Sequence, residues 1–320
     1  EVVEQKLGSV GAVLGTVSVS VVDVEPEDSL VGEDSELPGM SDGVSSALDC
    51  HISDTLTEEQ RSQVTALVSE FSDVLSNKPG LTNLVKHDIK LTSSEPIRSR
   101  QYAMPFAMRG TIVSEVQKMK DLGVIEPADS PYCSNIVIVK KSDGTNRFCI
   151  DFRAINRYTV FDAEPIPDME DIFVQLSNCK YITKIDLTKG YWQIPLVESA
   201  KMYTAFQTPF GLFQFRVLPF GMVCASASFS RMMRKLLEGL DWVENFIDDI
   251  IVYNMEFDQH LVVLRELFTR LRNANLTAKP SKCFIAFESI DCLGHVVRDN
   301  KLALKKNQGR SDPRCSKPYN

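Results

Sequence analysis

The sequence predicts an α+β protein, and three observations carry that prediction. Apolar residues recur at helical spacing in four separate stretches, beginning at Val64, Ile112, Phe229 and Leu261. Short β-prone runs bounded by turn residues lie among them, as at Ile136–Val139 and Phe246–Tyr253. Helices and strands follow one another without regular strand–helix–strand alternation and without an internal repeat. With 320 residues, 43% hydrophobic and 24% charged, the chain suits a soluble globular protein of one large domain or two ordinary ones.

The elements follow in order. Residues 1–53 are acidic and rich in Ser, Gly and Val, with no sustained helical period, and read as a poorly ordered linker. Thr57 and Gln60 make a capping box. The helix it opens carries Val64, Leu67, Val68, Phe71, Val74 and Leu75 on one stripe and ends at Asn77–Gly80. Residues 84–105, with prolines at 96 and 105, read as extended. A second helix presents Ile112, Val113, Val116, Met119 and Leu122, and Gly123 suits its C-terminal cap. Ile136–Val139 and Arg147–Phe152 form a hairpin around Asp143-Gly144. Another strand covers Tyr181–Ile185. Phe229, Met232, Met233, Leu236, Leu237 and Leu240 mark a third helix. Leu261, Leu264, Leu267, Phe268 and Leu271 mark a fourth, with Arg265, Arg270 and Arg272 exposed, and Cys283–Val297 reads as a closing pair of short strands.

The net charge of −8 averages two unlike parts. Residues 1–60 hold fourteen acids and one base, a net of −13, so the remainder carries +5. A mildly basic body is compatible with binding phosphate backbones, although charge alone is a weak signal. The apolar stretch Val10–Val22 follows no basic region and is too short to span a membrane, so no signal peptide or membrane segment is expected. The chain begins with Glu and reads as a fragment. Its eight cysteines are scattered without a CxxC pair, and the four histidines have no paired metal-ligand spacing. Zinc and a disulfide framework are not expected, and a reducing compartment fits.

Two segments carry chemistry. In Asn245-Phe-Ile-Asp-Asp-Ile-Ile-Val252, adjacent carboxylates interrupt an apolar β-prone run. Burying them unpaired is costly, and placing them at a hairpin bend avoids that cost. The pair is then either an idle solvated turn or a site where a divalent cation offsets their repulsion. In Lys184-Ile-Asp-Leu-Thr-Lys-Gly190, Asp186 ends an apolar strand, either as a turn residue or as a ligand. Three carboxylates on neighbouring strand ends would suit two Mg²⁺ ions, which keep waters and substrate phosphates and need few protein ligands.

From Ser130 to Val297 the sequence resembles the reverse transcriptase of gypsy-type LTR retrotransposons. The similar blocks are SPYCSNIVIVKKSDGTNRFCIDFRAIN (130–156), YITKIDLTKGYWQIP (181–195), TAFQTPFGLFQFRVLPFGM (204–222), NFIDDIIVY (245–253), and LTAKPSKCF with CLGHVV (276–284, 292–297). Residues 57–129 are similar to the region preceding the fingers in that family, so the resemblance covers about four fifths of the chain.

The resemblance implies a right-hand polymerase fold, fingers and palm, with an antiparallel palm sheet backed by helices and the thumb absent. It implies a fragment of an RNA-directed DNA polymerase that joins dNTPs to a primer 3′-hydroxyl on an RNA or DNA template with two Mg²⁺ ions, Mn²⁺ being possible. Asp186 and Asp248 match the principal metal ligands and Asp249 the second acid of the YxDD box. Tyr191 matches the steric gate, Lys141 and Arg147 the residues that hold the triphosphate, and Phe220 and Gly221 the platform beneath the nucleotide. Leu293, Gly294 and His295 match the primer grip, while Asp151 and Arg153 read as a structural pair. The partners implied are a template with its primer, dNTPs, no membrane, and the protease, RNase H and integrase of the parent Pol polyprotein. The setting implied is the cytoplasm, in a virus-like particle.

The sequence departs from the family at several positions. Phe246 replaces the Tyr of YxDD, Cys224 stands where Asn is usual, Ser226 where Pro or Gly is usual, and Tyr203 where Lys is common. After Leu304 the chain turns polar and loses its period. Reading codons for Gly309–Asn320 one base out can restore a family-like run, so a frameshift near residue 305 is expected; an intact frame across copies of the locus would refute it. The divisions expected are a linker (1–53), a helical region before the fingers (54–129), fingers and palm (130–304) and an aberrant tail (305–320). Two rival readings remain: a relic that at most binds nucleic acid, and a metal-dependent nuclease using the same acids.

Overall fold

The computed structural model of the chain describes residues 49–99, 108–140, 146–165, 172, 175, 176, 179–246, 248–292, 295–298 and 301–304, with backbone alone for Lys140 and 291–304. Most of the expected linker, the hairpin tip with Lys141, Leu293, Gly294 and the whole tail 305–320 lie outside the described residues.

Thr57 opens α1 (Glu58–Glu70) with both bonds of the capping box, Gln60 N–H to Thr57 Oγ1 at 3.2 Å and Thr57 N–H to Gln60 Oε1 at 3.1 Å. Val64, Leu67 and Val68 are buried as the stripe predicts. The helix ends sooner than expected, at Phe71 (φ −105°, ψ 29°), after which the amides of Ser72 and Val74 bond carbonyls three residues back, those of Ser69 and Phe71. Phe71, Val74 and Leu75 are buried from that turn instead. α2 (Arg109–Asp121) buries Ile112, Val116 and Met119. Val113 is 51% exposed, a correction to the stripe: it lies one residue, about 100° of helix rotation, away from Ile112. Gly123, at φ +69°, takes the left-handed position past the helix end, and its N–H bonds the Lys120 carbonyl.

The central sheet has five strands in the order β1 (His51–Ile52), β10 (Phe284–Phe287), β5 (Tyr181–Asp186), β9 (Asp249–Asn254) and β8 (Val243–Phe246). All neighbours are antiparallel except β1 with β10. Strand periodicity divides β5 and β9 between two faces. Tyr181, Thr183 and Ile185 sit opposite Asn254, Val252 and Ile250. This face packs on α3 (Ala225–Leu237) and α4 (Phe257–Asn273). There the buried His260 ring bridges Thr183 Oγ1 at 2.7 Å and Asn254 Oδ1 at 2.9 Å. On the other face Ile182, Ile251 and Tyr253 join Ile172, Leu176 and Ile290 in a small second core. Lys184, Asp186 and Asp249 continue this second face toward the end of the sheet.

β2 (Ile125–Pro127), β7 (Gly211–Phe215) and β6 (Phe206–Thr208) form a three-stranded sheet, and β3 (Asn135–Lys140) pairs with β4 (Asn146–Asp151) as the predicted hairpin. The C-terminal region differs from the expected pair of strands. Phe284–Phe287 enters the central sheet, and a separate antiparallel sheet forms from β11 (Ile290–Cys292), β12 (His295–Arg298) and β13 (Lys301–Leu304). Of the arginines expected to be exposed on α4, Arg265 pairs with Glu70 and Arg272 with Asp73, and the Arg272 guanidinium lies 4.2 Å from the Phe71 ring centre. These contacts fasten α4 to α1, a use of charged side chains that apolar periodicity does not reveal.

Candidate active site

The acids meet at one end of the central sheet. β5 ends at Asp186 and β9 begins at Asp249, and these two residues are direct partners in the antiparallel ladder, on the same face. Asp248 sits in the tight turn joining β8 to β9. The segment after β5 folds back as a single 3₁₀ turn, Gly190–Gln193, entered through Lys189 in the left-handed region at φ 52°. That turn brings Gly190 against Asp248. A Cβ at position 190 would lie 2.8 Å from Phe229 Cε2 and 3.2 Å from Asp248 Oδ1, so only glycine fits without displacement.

Gln193 holds the turn in place from a fully buried position. Its amide nitrogen donates to the carbonyls of Thr188 and Thr277, both at 2.8 Å. Its amide oxygen accepts from the backbone N–H of Gly80 at 3.2 Å and of Thr277 at 2.8 Å. Three chain segments distant in sequence are thereby locked around one side chain, a fully satisfied network of the kind that specifies a single geometry.

The electrostatics are those of crowded, buried carboxylates. Burial first, then the charges of Asp249 and Asp248, push the Asp186 carboxyl up to about 7. Burial and Asp249 push Asp248 up to about 6. Asp249 is also raised by burial, against the pull of the Lys184 ammonium 2.6 Å away. Lys282 reaches Asp186 Oδ2 at 3.2 Å. Asp248 Oδ1 is buried with no hydrogen-bond partner among the described residues. An orphaned buried carboxylate oxygen beside a second perturbed carboxylate suits a hard divalent cation.

The three acids expected as metal ligands do converge, but not as a ready group of three. Among the described residues, no set of three His, Cys, Asp or Glu side chains is disposed to hold a metal ion. Asp249 is engaged by Lys184 and Asp186 by Lys282, and Asp248 is the acid whose buried oxygen has no hydrogen-bond partner among the described residues.

The aromatic residues surround this point. The Tyr191 ring packs edge-on against Phe220 at 5.2 Å and Phe229 at 5.5 Å, and burial and the nearby Asp248 raise its hydroxyl far above the ordinary range. Gly221 has φ +89°, and its carbonyl accepts from Asn156 Nδ2 at 2.8 Å, which fixes the loop carrying Phe220. Arg147 lies on β4 opposite Val139. His295 lies on β12 opposite Cys292 and Leu304. Arg153 forms a two-pronged pair with Asp151 at 2.9 and 2.8 Å, the structural role expected.

Two of the departures make packing contacts of their own. Cys224 is buried and donates to the Val160 carbonyl at 3.3 Å, and Tyr203 meets Tyr132 edge-on at 4.9 Å. Sequence reading passed over Lys184, Lys282 and Gln193. Lys184 had a local signal, since it stands two residues before Asp186 on the same face of a strand. Lys282 and Gln193 act through long-range contacts and had none.

The profile of the family described as reverse transcriptase (RNA-dependent DNA polymerase) matches residues 138–297, half of the chain. The Pol polyprotein of the Drosophila melanogaster transposon 297 is 35% identical over 255 residues, which cover 76% of this chain and 24% of that protein. The Pol polyprotein of the Drosophila melanogaster transposon gypsy is 29% identical over 276 residues, 83% of this chain and 26% of that protein. The chain therefore spans about a quarter of the length of these polyproteins. Among solved structures, a foamy viral protease–reverse transcriptase in complex with double-stranded DNA superimposes with a TM-score of 0.73 at 23% identity, over 79% of this chain and 45% of that one, a likeness of fold. With the family profile across strands β5, β8 and β9 and the paired acids at their ends, the chain belongs to the reverse transcriptase family of retrotransposon Pol polyproteins.

Proposed function

We propose that this chain carries the polymerase site of an RNA-directed DNA polymerase, in which Asp186 and Asp248, with Asp249 beside them, hold two Mg²⁺ ions. The observation that carries the reading is the orphaned Asp248 Oδ1, buried at 3.2 Å from the position a Gly190 Cβ would take, with Asp186 nearby and raised to about 7. Held by Asp186 and Asp248 with Asp249 beside them, such ions would supply activation of a primer 3′-hydroxyl toward the α-phosphate of a dNTP and charge stabilisation of the leaving pyrophosphate.

The remaining roles belong to the chain's own side chains. Asp186 and Asp248 fix where the reacting oxygens meet, and positioning of this kind is the larger part of catalysis in phosphoryl-type transfers. The Tyr191 ring, wedged between Phe220 and Phe229, lies under the sugar and rejects a 2′-hydroxyl by bulk. Arg147 and Lys141 on the hairpin hold the triphosphate, the first as a planar fork and the second as a point charge. Phe220 and Gly221 form the platform for the templating pair, and Leu293, Gly294 and His295 grip the primer end.

The template with its primer and the dNTPs are the proposed partners, with the other Pol domains in the parent polyprotein and the cytoplasm as the setting. Among the described residues no helix is long and apolar enough to cross a membrane. The test is primer extension on poly(rA)·oligo(dT) with Mg²⁺, beside Asp248→Asn. Incorporation that the variant abolishes supports the proposal. Absence of incorporation from a folded preparation refutes it and leaves a relic that binds nucleic acid at most.

A further inference from the structure

Two cysteines outside the proposed chemistry face each other at the edge of the central sheet. β1 and β10 run parallel with His51 opposite Phe284 and Ile52 opposite Ile285. The preceding residues, Cys50 and Cys283, are therefore cross-strand neighbours. The His51 N–H donates to the Cys283 carbonyl at 2.9 Å and the Ser53 N–H to the Ile285 carbonyl at 3.1 Å, so the pairing is fixed on both sides. The His51 ring stacks on Phe284 at 4.7 Å and 17°, closing the ladder at the position next to the thiols. Neighbouring strands bring Cα atoms to about 5 Å, inside the range a disulfide spans. Both cysteines are free, with Cys50 8% exposed and Cys283 fully buried. The facing Cys50 thiol, and then burial, hold the Cys283 thiol well above its ordinary range.

We infer that Cys50 and Cys283 are a built disulfide site, whose oxidation staples the N-terminal strand to the strand beside Asp186. The consequence for the site is local. The Cys283 thiol donates to the Lys279 carbonyl at 3.2 Å, the Lys279 N–H donates to the Asp186 carbonyl at 2.9 Å, and Lys282 reaches the Asp186 carboxylate. The disulfide fixes β1 covalently to the turn that braces Asp186 and removes one of the turn's own hydrogen bonds.

The chemistry requires a thiol-exchange oxidant such as oxidised glutathione. One protein thiolate attacks the glutathione disulfide, breaking its S–S bond, forming a mixed disulfide and expelling one glutathione thiolate. The second protein thiolate attacks the protein sulfur of that mixed disulfide and expels the other glutathione. The protein loses two protons and two electrons in total, and two molecules of reduced glutathione carry them away. Burial covers both sulfurs while β1 is docked, so exchange runs through brief undocking of this two-residue strand and is slower than at the half-exposed Cys133.

The test incubates the full chain with oxidised glutathione under native conditions, blocks remaining thiols and maps the peptides by mass spectrometry. A Cys50–Cys283 linkage is expected, formed more slowly than the glutathione adduct at Cys133. Its formation raises the melting temperature by about 10 °C, the scale for closing a loop of over two hundred residues, and dithiothreitol reverses the rise. The Cys50→Ala variant, compared in its reduced form to confirm folding, shows neither the linkage nor the rise. Cys283 remaining a free thiol, pairing elsewhere, or linking to Cys50 only in denaturant would each overturn the inference.

Discussion

Replacing Asp248 with Asn separates the stability of the fold from its proposed chemistry. In the folded chain this carboxyl is raised from 3.8 to about 6, by burial and by Asp249. A group raised on folding favours the folded state only while it stays protonated, and it opposes folding once pH rises through its folded pKa. The charged carboxylate therefore works against the fold by about 3 kcal/mol at about pH 8, from a shift of about two units. By the same linkage the penalty shrinks to about 0.5 kcal/mol at about pH 4, near the unfolded value. Asn keeps the shape, removes the charge and leaves Asp186 facing one carboxylate fewer. Urea melts without metal should show Asp248→Asn more stable than the parent by about 1–3 kcal/mol at about pH 8 and nearly equal to it at about pH 4. Mg²⁺ should stabilise the parent and leave the variant nearly unmoved, because ligand binding stabilises only a state that binds it. Primer extension by the variant should be lost. A variant destabilised equally at both pH values, or one that keeps its Mg²⁺ response, would show that Asp248 is an ordinary turn residue and would refute the reasoning.

Further predictions follow from the same contacts. Lys184→Met leaves Asp249 half-buried without its partner at 2.6 Å and should cost about 3 kcal/mol in metal-free melts, part of which millimolar Mg²⁺ should restore. Gly190→Ala drives a methyl to 2.8 Å from Phe229 and 3.2 Å from Asp248, and should lower stability by about 1–3 kcal/mol and abolish incorporation. Gln193→Leu strips four backbone bonds, to Gly80, Thr188 and Thr277, and should cost about 3 kcal/mol by denaturant titration, since of these four groups only the Gly80 N–H and the Thr277 carbonyl keep another partner, Thr277 Oγ1 and the Thr188 N–H. His87, buried against Ser228 Oγ at 2.7 Å, is lowered from 6.5 to about 4 chiefly by burial. Its contribution is complete above 6.5 and is lost as pH falls toward about 4, so denaturation midpoints should drop across that window and drop less in His87→Asn.

What was legible in the sequence depended on whether the signal was local. The capping box at Thr57, the glycine cap at Gly123 and the β3–β4 hairpin were written in neighbouring residues and formed as read. Val113 and the early end of α1 went astray because apolar spacing reports which residues are apolar, not where the core ends. The strand assignment of β10 failed for a similar reason. Phe284–Phe287 looked like half of a hairpin, yet its partners are β5 and β1, more than ninety residues away in the chain. The acids and Tyr191 proposed for the site were named from sequence through the family motifs, and the fold places Asp186 and Asp249 side by side with Gly190 against Asp248.

The lysines that accompany the acids could not be named, although they define the electrostatic state of the site. Lys184 and Lys282 place two ammonium groups on Asp249 and Asp186, while Asp248 has no such partner among the described residues. Three charged carboxylates so close together would repel one another by more than the fold can absorb, and two internal cations reduce that repulsion. The acid without a lysine among the described residues is also the one whose buried oxygen has no hydrogen-bond partner there. The pattern of neutralisation, more than the count of acids, thus supports the proposed cation site at Asp248, the acid that no lysine meets among the described residues. It also explains why Asp248→Asn, rather than Asp249→Asn, is the substitution that most sharply divides stability from activity.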